Sequence, residues 1–183
     1  VATDNNGGNW CGFVRPYIID PTDARFADIA KDYYDCLNDV MGESQYYSMD
    51  PFHEGGSISS GKYTEAYKAV YDAMEADRSS SQWVIQQWQW NANQKKSVNA
   101  VHQGKLIVLD LFSDGSPAFD SYNGYAPQRS VFCAIPSFGG RSGVMGRLQN
   151  VTDNYFKFKA KYPSIKGIGA APEAIEQTPV TYD

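Results

Sequence analysis

The chain predicts an α/β fold of parallel strands joined by right-handed crossovers, either an open sheet or a (β/α)8 TIM-type barrel. Three observations carry that prediction. Stretches with apolar residues at helical spacing alternate with short runs of strand-forming residues along the chain. One run, Leu106 to Phe112, reads Leu-Ile-Val-Leu-Asp-Leu-Phe and is apolar on both faces, as befits a strand covered by helices on both sides. The strands number five, too few to close an eight-stranded barrel, so the chain is expected to be an incomplete part of a larger catalytic domain.

The first helix follows from Phe26, Ile29, Ala30, Tyr33, Leu37, Val40 and Met41, which share one helical face. Thr22 or Asp23 is expected to cap its start and Gly42 its end. A strand over Gln45 to Met49 stops where Pro51 removes a backbone donor. Tyr63, Ala66, Tyr67, Val70, Tyr71 and Met74 repeat the helical spacing to about Asp77, and Gln82 to Trp88 reads as the next strand. A short polar helix over Gln94 to His102 ends at Gly104, before the strand Lys105 to Phe112. Ser113 to Arg129 is a long Gly/Pro/Ser/Asp-rich loop, the kind that in compact domains is a binding loop or disordered. Ser130 to Ile135 reads as a strand, Leu148 to Tyr162 as a helix ending at Pro163, and Lys166 to Ala170 as the last strand.

Composition excludes several classes. Apolar content of 42% and charged content of 20% describe a folded chain. No run is apolar enough for a membrane helix, and the N-terminal Val-Ala-Thr-Asp-Asn-Asn-Gly-Gly has neither the basic nor the apolar part of a signal peptide. Compartment stays open on these grounds. A net charge of −5 without a basic cluster argues against nucleic acid as a partner. Cys11, Cys36 and Cys133 show no metal or redox spacing and read as buried small hydrophobes, with one disulfide possible among them; no metal or cofactor is expected. The 14% aromatic content tilts toward carbohydrate, whose C–H faces pack on rings.

The chemistry gathers at strand ends. His53 and Glu54 follow the Gln45 to Met49 strand and precede Gly55-Gly56, while Glu173 follows Gly169-Ala170-Ala171-Pro172 at the end of the last strand. Two glutamates at strand C-termini on one rim of a parallel barrel suit glycoside hydrolysis, in which one carboxyl protonates the leaving oxygen and the other stays ionised. Rival motifs fail on chemistry. In Gly167-Ile168-Gly169-Ala170-Ala171 the following Pro172-Glu173 sits where a dinucleotide's pyrophosphate would bind, and glutamate repels phosphate. Two histidines, His53 and His102, are too few for a zinc protease site, and no Gly-x-Ser-x-Gly elbow occurs. Asn150-Val151-Thr152 fits a glycosylation sequon and decides nothing.

Five blocks in order then resemble the α-N-acetylglucosaminidases, family 89 of the glycoside hydrolases. They are Asp50-Pro51-Phe52-His53-Glu54-Gly55-Gly56, Gln86 to Trp90, Leu106 to Phe112, Phe138-Gly139-Gly140 and Gly169 to Ile175. The resemblance implies the middle and later part of a catalytic (β/α)8 barrel over 1–183, set in the family between a small N-terminal and a helical C-terminal domain. It implies an O-glycosyl hydrolase acting on glycans with terminal α-linked N-acetylglucosamine, with Glu54 as general acid/base and Glu173 as nucleophile. Trp88, Leu111, Ile135 and Phe138 match positions lining the sugar pocket, though plain barrel core would present the same residue types. His53 stands where the animal enzymes have asparagine, and Phe132 where they have tryptophan, so the substrate contacts expected of His53 differ in detail. A retaining double displacement would hold the carboxyl groups roughly 5 to 5.5 Å apart, an inverting one roughly 6.5 to 9.5 Å. The alternative is an inactive or carbohydrate-binding fragment of such a barrel, needing the rest of the barrel and the helical domain as partners.

Overall fold

The computed structural model describes residues 3–4, 8–136 and 146–173, with the backbone alone at 3–4, His53 and Ser60. Phe138 and the glycines after it therefore lie outside the described residues. Five strands form one sheet in chain order, β5 to β9, and the strand pairs described in it run parallel, as the uninterrupted apolar strand demanded. The chain divides into two compact units, Val1–Ile85 with Gln89–Leu106, and Gln86–Trp88 with Ile107–Asp183.

The first unit opens on two short antiparallel ladders with no counterpart in the sequence reading. β1 (Thr3–Asp4) pairs with β4 (Ile18–Ile19), and β2 (Asn9–Trp10) with β3 (Phe13–Val14). The two-residue connection Cys11-Gly12 has positive φ at both positions, 49° and 84°, as tight hairpin turns require. Strands of two residues carry too little periodicity to announce themselves. α1 (Phe26–Met41) covers the predicted span, but Asp23 accepts the Arg25 amide in a turn before the helix, and neither Thr22 nor Asp23 caps it. Gly42, at φ 78°, closes the helix by donating to the Asn38 carbonyl. Ala30 and Tyr34 are buried, whereas Tyr33, Val40 and Met41 are 61%, 80% and 76% exposed. The apolar stripe of α1 is thus wider than the surface the described residues lay against it.

β5 (Tyr46–Ser48) pairs with β6 (Gln82–Gln87), Tyr47 opposite Trp83. Between them α2 (Tyr63–Asp77) buries all six residues of its predicted stripe. α3 (Ala92–Ser97) is fixed by a capping box: the Asn91 side chain accepts the Gln94 amide and the Gln94 side chain accepts the Asn91 amide.

In the second unit β7 (Leu106–Asp110) pairs with β8 (Arg129–Ala134), Leu109 opposite Val131. β8 in turn pairs with β9 (Ile165–Ala170), the strand that follows α4 (Leu148–Lys161). Phe132 packs toward α4, its ring 5.8 Å from Tyr155 and stacked on Phe119 at 6.1 Å. Side chains alternate along a strand, so Val131, Cys133 and Ile135 face the other side of the sheet. Gly169 lies opposite Cys133, and a Cβ there would come within 3.1 Å of the Cys133 sulfur, which favours glycine at this point of β9. The cysteine expectation needs correcting: Cys133 alone is buried, Cys11 and Cys36 are exposed, and all three are free thiols. None of the described helices is long and apolar enough to cross a membrane.

Asp110 ends β7 fully buried. Its Oδ2 accepts the Ala118 amide at 2.9 Å and the Tyr125 hydroxyl at 3.0 Å, while Oδ1 has no partner among the described residues. This carboxylate organises the long loop predicted over Ser113 to Arg129. Burial pushes the carboxyl up to about 6 from an ordinary 3.8, with the Ala118, Tyr125 and Ser113 hydrogen bonds pulling the other way. A raised acid favours folding while it is protonated. Its contribution is complete below pH 3.8 and is lost as pH rises through about 6. Wild-type stability is expected to fall by about 3 kcal/mol between those limits relative to Asp110→Asn. Urea denaturation of both proteins from pH 4 to 8 tests it, and a constant difference between them would refute it.

Candidate active site

Glu54 is presented by the turn that follows β5. Phe52 is buried, its ring 5.0 Å from Tyr63 and 6.3 Å from Tyr67, and the Gln94 side chain donates to its carbonyl. Phe52 thereby anchors the short 3-10 turn His53–Gly55 against α2 and α3. Within that turn Glu54 is left-handed, at φ 49° and ψ 52°, and Gly55 follows at φ 81°. A glutamate in this region costs of order 1 to 3 kcal/mol and persists only where its surroundings impose it. The Arg15 guanidinium supplies part of that by donating to the Glu54 backbone carbonyl. The Glu54 side chain is half-buried, and His53 shares the same turn through its backbone.

In the second unit Leu111, Cys133 and Ile135 form one buried cluster, with Trp88, Leu109, Phe112, Val131 and Ala171 packed against it. Three of the five sugar-site residues expected from the sequence, Trp88, Leu111 and Ile135, are thus brought together where β6, β7 and β8 end. The Trp88 and Phe112 rings meet edge-on at 6.4 Å. Burial pushes the Cys133 thiol up to about 12, helped by the nearby Asp110 charge, so it stays protonated and serves as a small apolar wall rather than a nucleophile. Glu173 follows two residues after Ala171, whose amide donates to the Ala134 carbonyl, and its side chain is exposed. The nucleophile candidate therefore emerges beside the apolar cluster.

An ion pair fixes this rim. Asp114, 1% exposed, accepts the Ile135 amide at 3.0 Å, and the Arg147 guanidinium donates to it at 3.0 Å while lying 5.0 Å above the Phe112 ring. Among the described residues no cluster of His, Cys, Asp or Glu is arranged to hold a metal ion. The sequence reading missed Cys133, Phe112, Arg15 and the Asp114–Arg147 pair. Cys133 was findable, being two residues before Ile135 on the same strand face. Arg15 left no local signal, because its partner is 39 residues away.

The family model of the alpha-N-acetylglucosaminidase (NAGLU) TIM-barrel domain matches residues 2–183. Human alpha-N-acetylglucosaminidase is 30% identical over 191 residues, a match covering 96% of this chain and 26% of the human protein. A family 89 glycoside hydrolase from Clostridium perfringens in complex with 2-acetamido-1,2-dideoxynojirmycin superposes with a TM-score of 0.87 at 30% identity, covering 99% of this chain and 21% of that one. The same organism's enzyme with two glutamates exchanged for glutamine, in complex with its substrate GlcNAc-alpha-1,4-galactose, superposes with a TM-score of 0.86 over 98% of this chain. The chain thus spans about a quarter or less of the relatives it matches.

Proposed function

This chain belongs to the alpha-N-acetylglucosaminidase TIM-barrel family, and from that membership we propose that it carries the catalytic pair of a retaining hydrolase releasing terminal α-linked N-acetylglucosamine. The observation that carries the proposal is the gathering of Trp88, Leu111 and Ile135 into one apolar wall beside the strand end that delivers Glu173. Two facts support the roles of the glutamates. The substrate-bound relative has two glutamates exchanged, and their separation along its chain nearly equals that of Glu54 and Glu173 here. Both residues here also follow the C-terminal end of a sheet strand, the rim where barrel enzymes hold their catalytic groups.

The stereochemistry of the substrate dictates the division of labour. In an α-linked N-acetylglucosaminide the 2-acetamido group lies on the same side as the leaving oxygen, so it cannot attack from the opposite face. The protein must supply the nucleophile. A Glu173 carboxylate oxygen attacks the anomeric carbon as the glycosidic bond breaks, and Glu54 gives its proton to the departing oxygen. Ionised Glu54 then takes a proton from water as that water displaces Glu173, restoring both groups. His53, Trp88, Leu111, Ile135 and Phe138 are proposed to line the sugar site, and residues 1–183 to contribute the middle and later part of the barrel. The partners are the glycan terminus and the remaining barrel and helical segments. Hydrolysis followed by proton NMR tests the reading: the α anomer of N-acetylglucosamine is expected first. A first-formed β anomer would establish inversion, and sugar binding without turnover would favour a binding role.

A further inference from the structure

We infer that the segment Arg15 to Asp20 is a positioning strap for the Glu54 turn, with Arg15 setting where the carboxyl group is presented. The inference rests on Glu54 as general acid. The strap is tied at both ends to the loop that follows β5. At one end the Arg15 guanidinium donates to the Glu54 carbonyl, while the Arg15 amide donates to Gly8 at 2.6 Å across the base of the β2–β3 hairpin. At the other, Asp20 is 5% exposed and its carboxylate accepts the Lys62 ammonium and the Thr22 amide and hydroxyl. Burial alone would raise the Asp20 carboxyl, but the hydrogen bonds from Lys62 and Thr22 outweigh it and hold the group below its usual range. The anchor is therefore charged at neutral pH. Lys62 closes the same loop that Glu54 opens, so both flanks of residues 54 to 62 are fastened to one short stretch of chain.

The left-handed backbone of Glu54 explains why the tie matters. Relaxing φ to a negative value would rotate the 54–55 peptide, withdraw the carbonyl from Arg15 and swing the side chain away. A general acid must lie within about 2.6 to 3.2 Å of the oxygen it protonates, and a displacement of about 1 Å can lower the rate about a hundredfold. Gly55 continues the left-handed path at φ 81°, a conformation that favours glycine, while a Cβ there would meet the Arg15 Nη2 only in ordinary contact at 3.8 Å.

Leaving-group dependence tests the inference in the full-length protein that carries this chain. A dinitrophenolate departs without a proton, whereas a sugar alcohol needs one. Arg15→Met is expected to lower kcat/KM for GlcNAc-alpha-1,4-galactose by about ten- to a hundredfold while leaving dinitrophenyl α-N-acetylglucosaminide within about twofold, which also reports an intact fold. Arg15→Lys, which keeps one donor, is expected to recover part of the loss, and Asp20→Asn to show the same discrimination more weakly. Equal losses on both substrates in Arg15→Met, or none on either, would overturn the strap if Glu54→Gln does discriminate. Failure of Glu54→Gln to discriminate would overturn the acid assignment, and the strap with it.

Discussion

Replacing Glu173 by alanine in the full-length protein is expected to lower turnover of an α-N-acetylglucosaminide by about four orders of magnitude. The reason is specific to this substrate. Its acetamido group is on the wrong face to substitute for the lost carboxylate, so no intramolecular nucleophile is available. The variant also leaves a signature that mere inactivation lacks. Azide entering the vacated space attacks the face that Glu173 used, giving the β-glycosyl azide with inverted configuration. In Glu54→Ala the covalent intermediate still forms from an activated substrate, and azide then displaces Glu173 to give the α-azide. Product configuration by proton NMR separates the two. Near-normal turnover of Glu173→Ala, or an α-azide from it, would overturn the assignment of nucleophile.

The legible parts of the molecule are those that declare themselves over several turns or within one strand. The α2 stripe from Tyr63 to Met74 is buried as its spacing requires, because that helix has neighbours along its whole apolar face. The same reasoning over-predicted burial for α1, where Tyr33, Val40 and Met41 are exposed and Tyr34 is buried instead. Spacing identifies a face; what covers it depends on chain distant in sequence. At the candidate site Trp88, Leu111 and Ile135 were named through resemblance to a family, and the sheet then gathered them because they end adjacent strands. Arg15, Asp114 and Arg147 were invisible for the opposite reason. Their roles are ion pairs and hydrogen bonds across 33 to 39 residues, and no period or motif encodes such pairings.

Loss of the Trp83 side chain is expected to be the most damaging single change to the first unit. Trp83 is 0% exposed on β6, its ring 5.4 Å from Tyr67, and its indole N–H donates to the Met49 carbonyl at 2.7 Å. Trp83→Ala removes a large buried ring and leaves that carbonyl without its donor, for an expected loss of about 3 to 5 kcal/mol. Trp83→Phe keeps most of the packing, and its expected loss is about 1 to 2 kcal/mol, mainly from the hydrogen bond. Measured by urea denaturation, a Trp83→Ala protein within about 1 kcal/mol of wild type would show that the ring is not a keystone of the unit. The position also links fold to chemistry. Met49 follows β5 and precedes the turn that presents Glu54, and Tyr67, which touches Trp83, also touches Phe52, the anchor of that turn. The indole thus reaches the candidate acid by two routes, backbone through Met49 and rings through Tyr67. Trp83→Phe breaks the first and spares the second. Its kcat/KM on substrates with poor leaving groups is therefore expected to fall less than that of Arg15→Met, which acts on the Glu54 carbonyl directly.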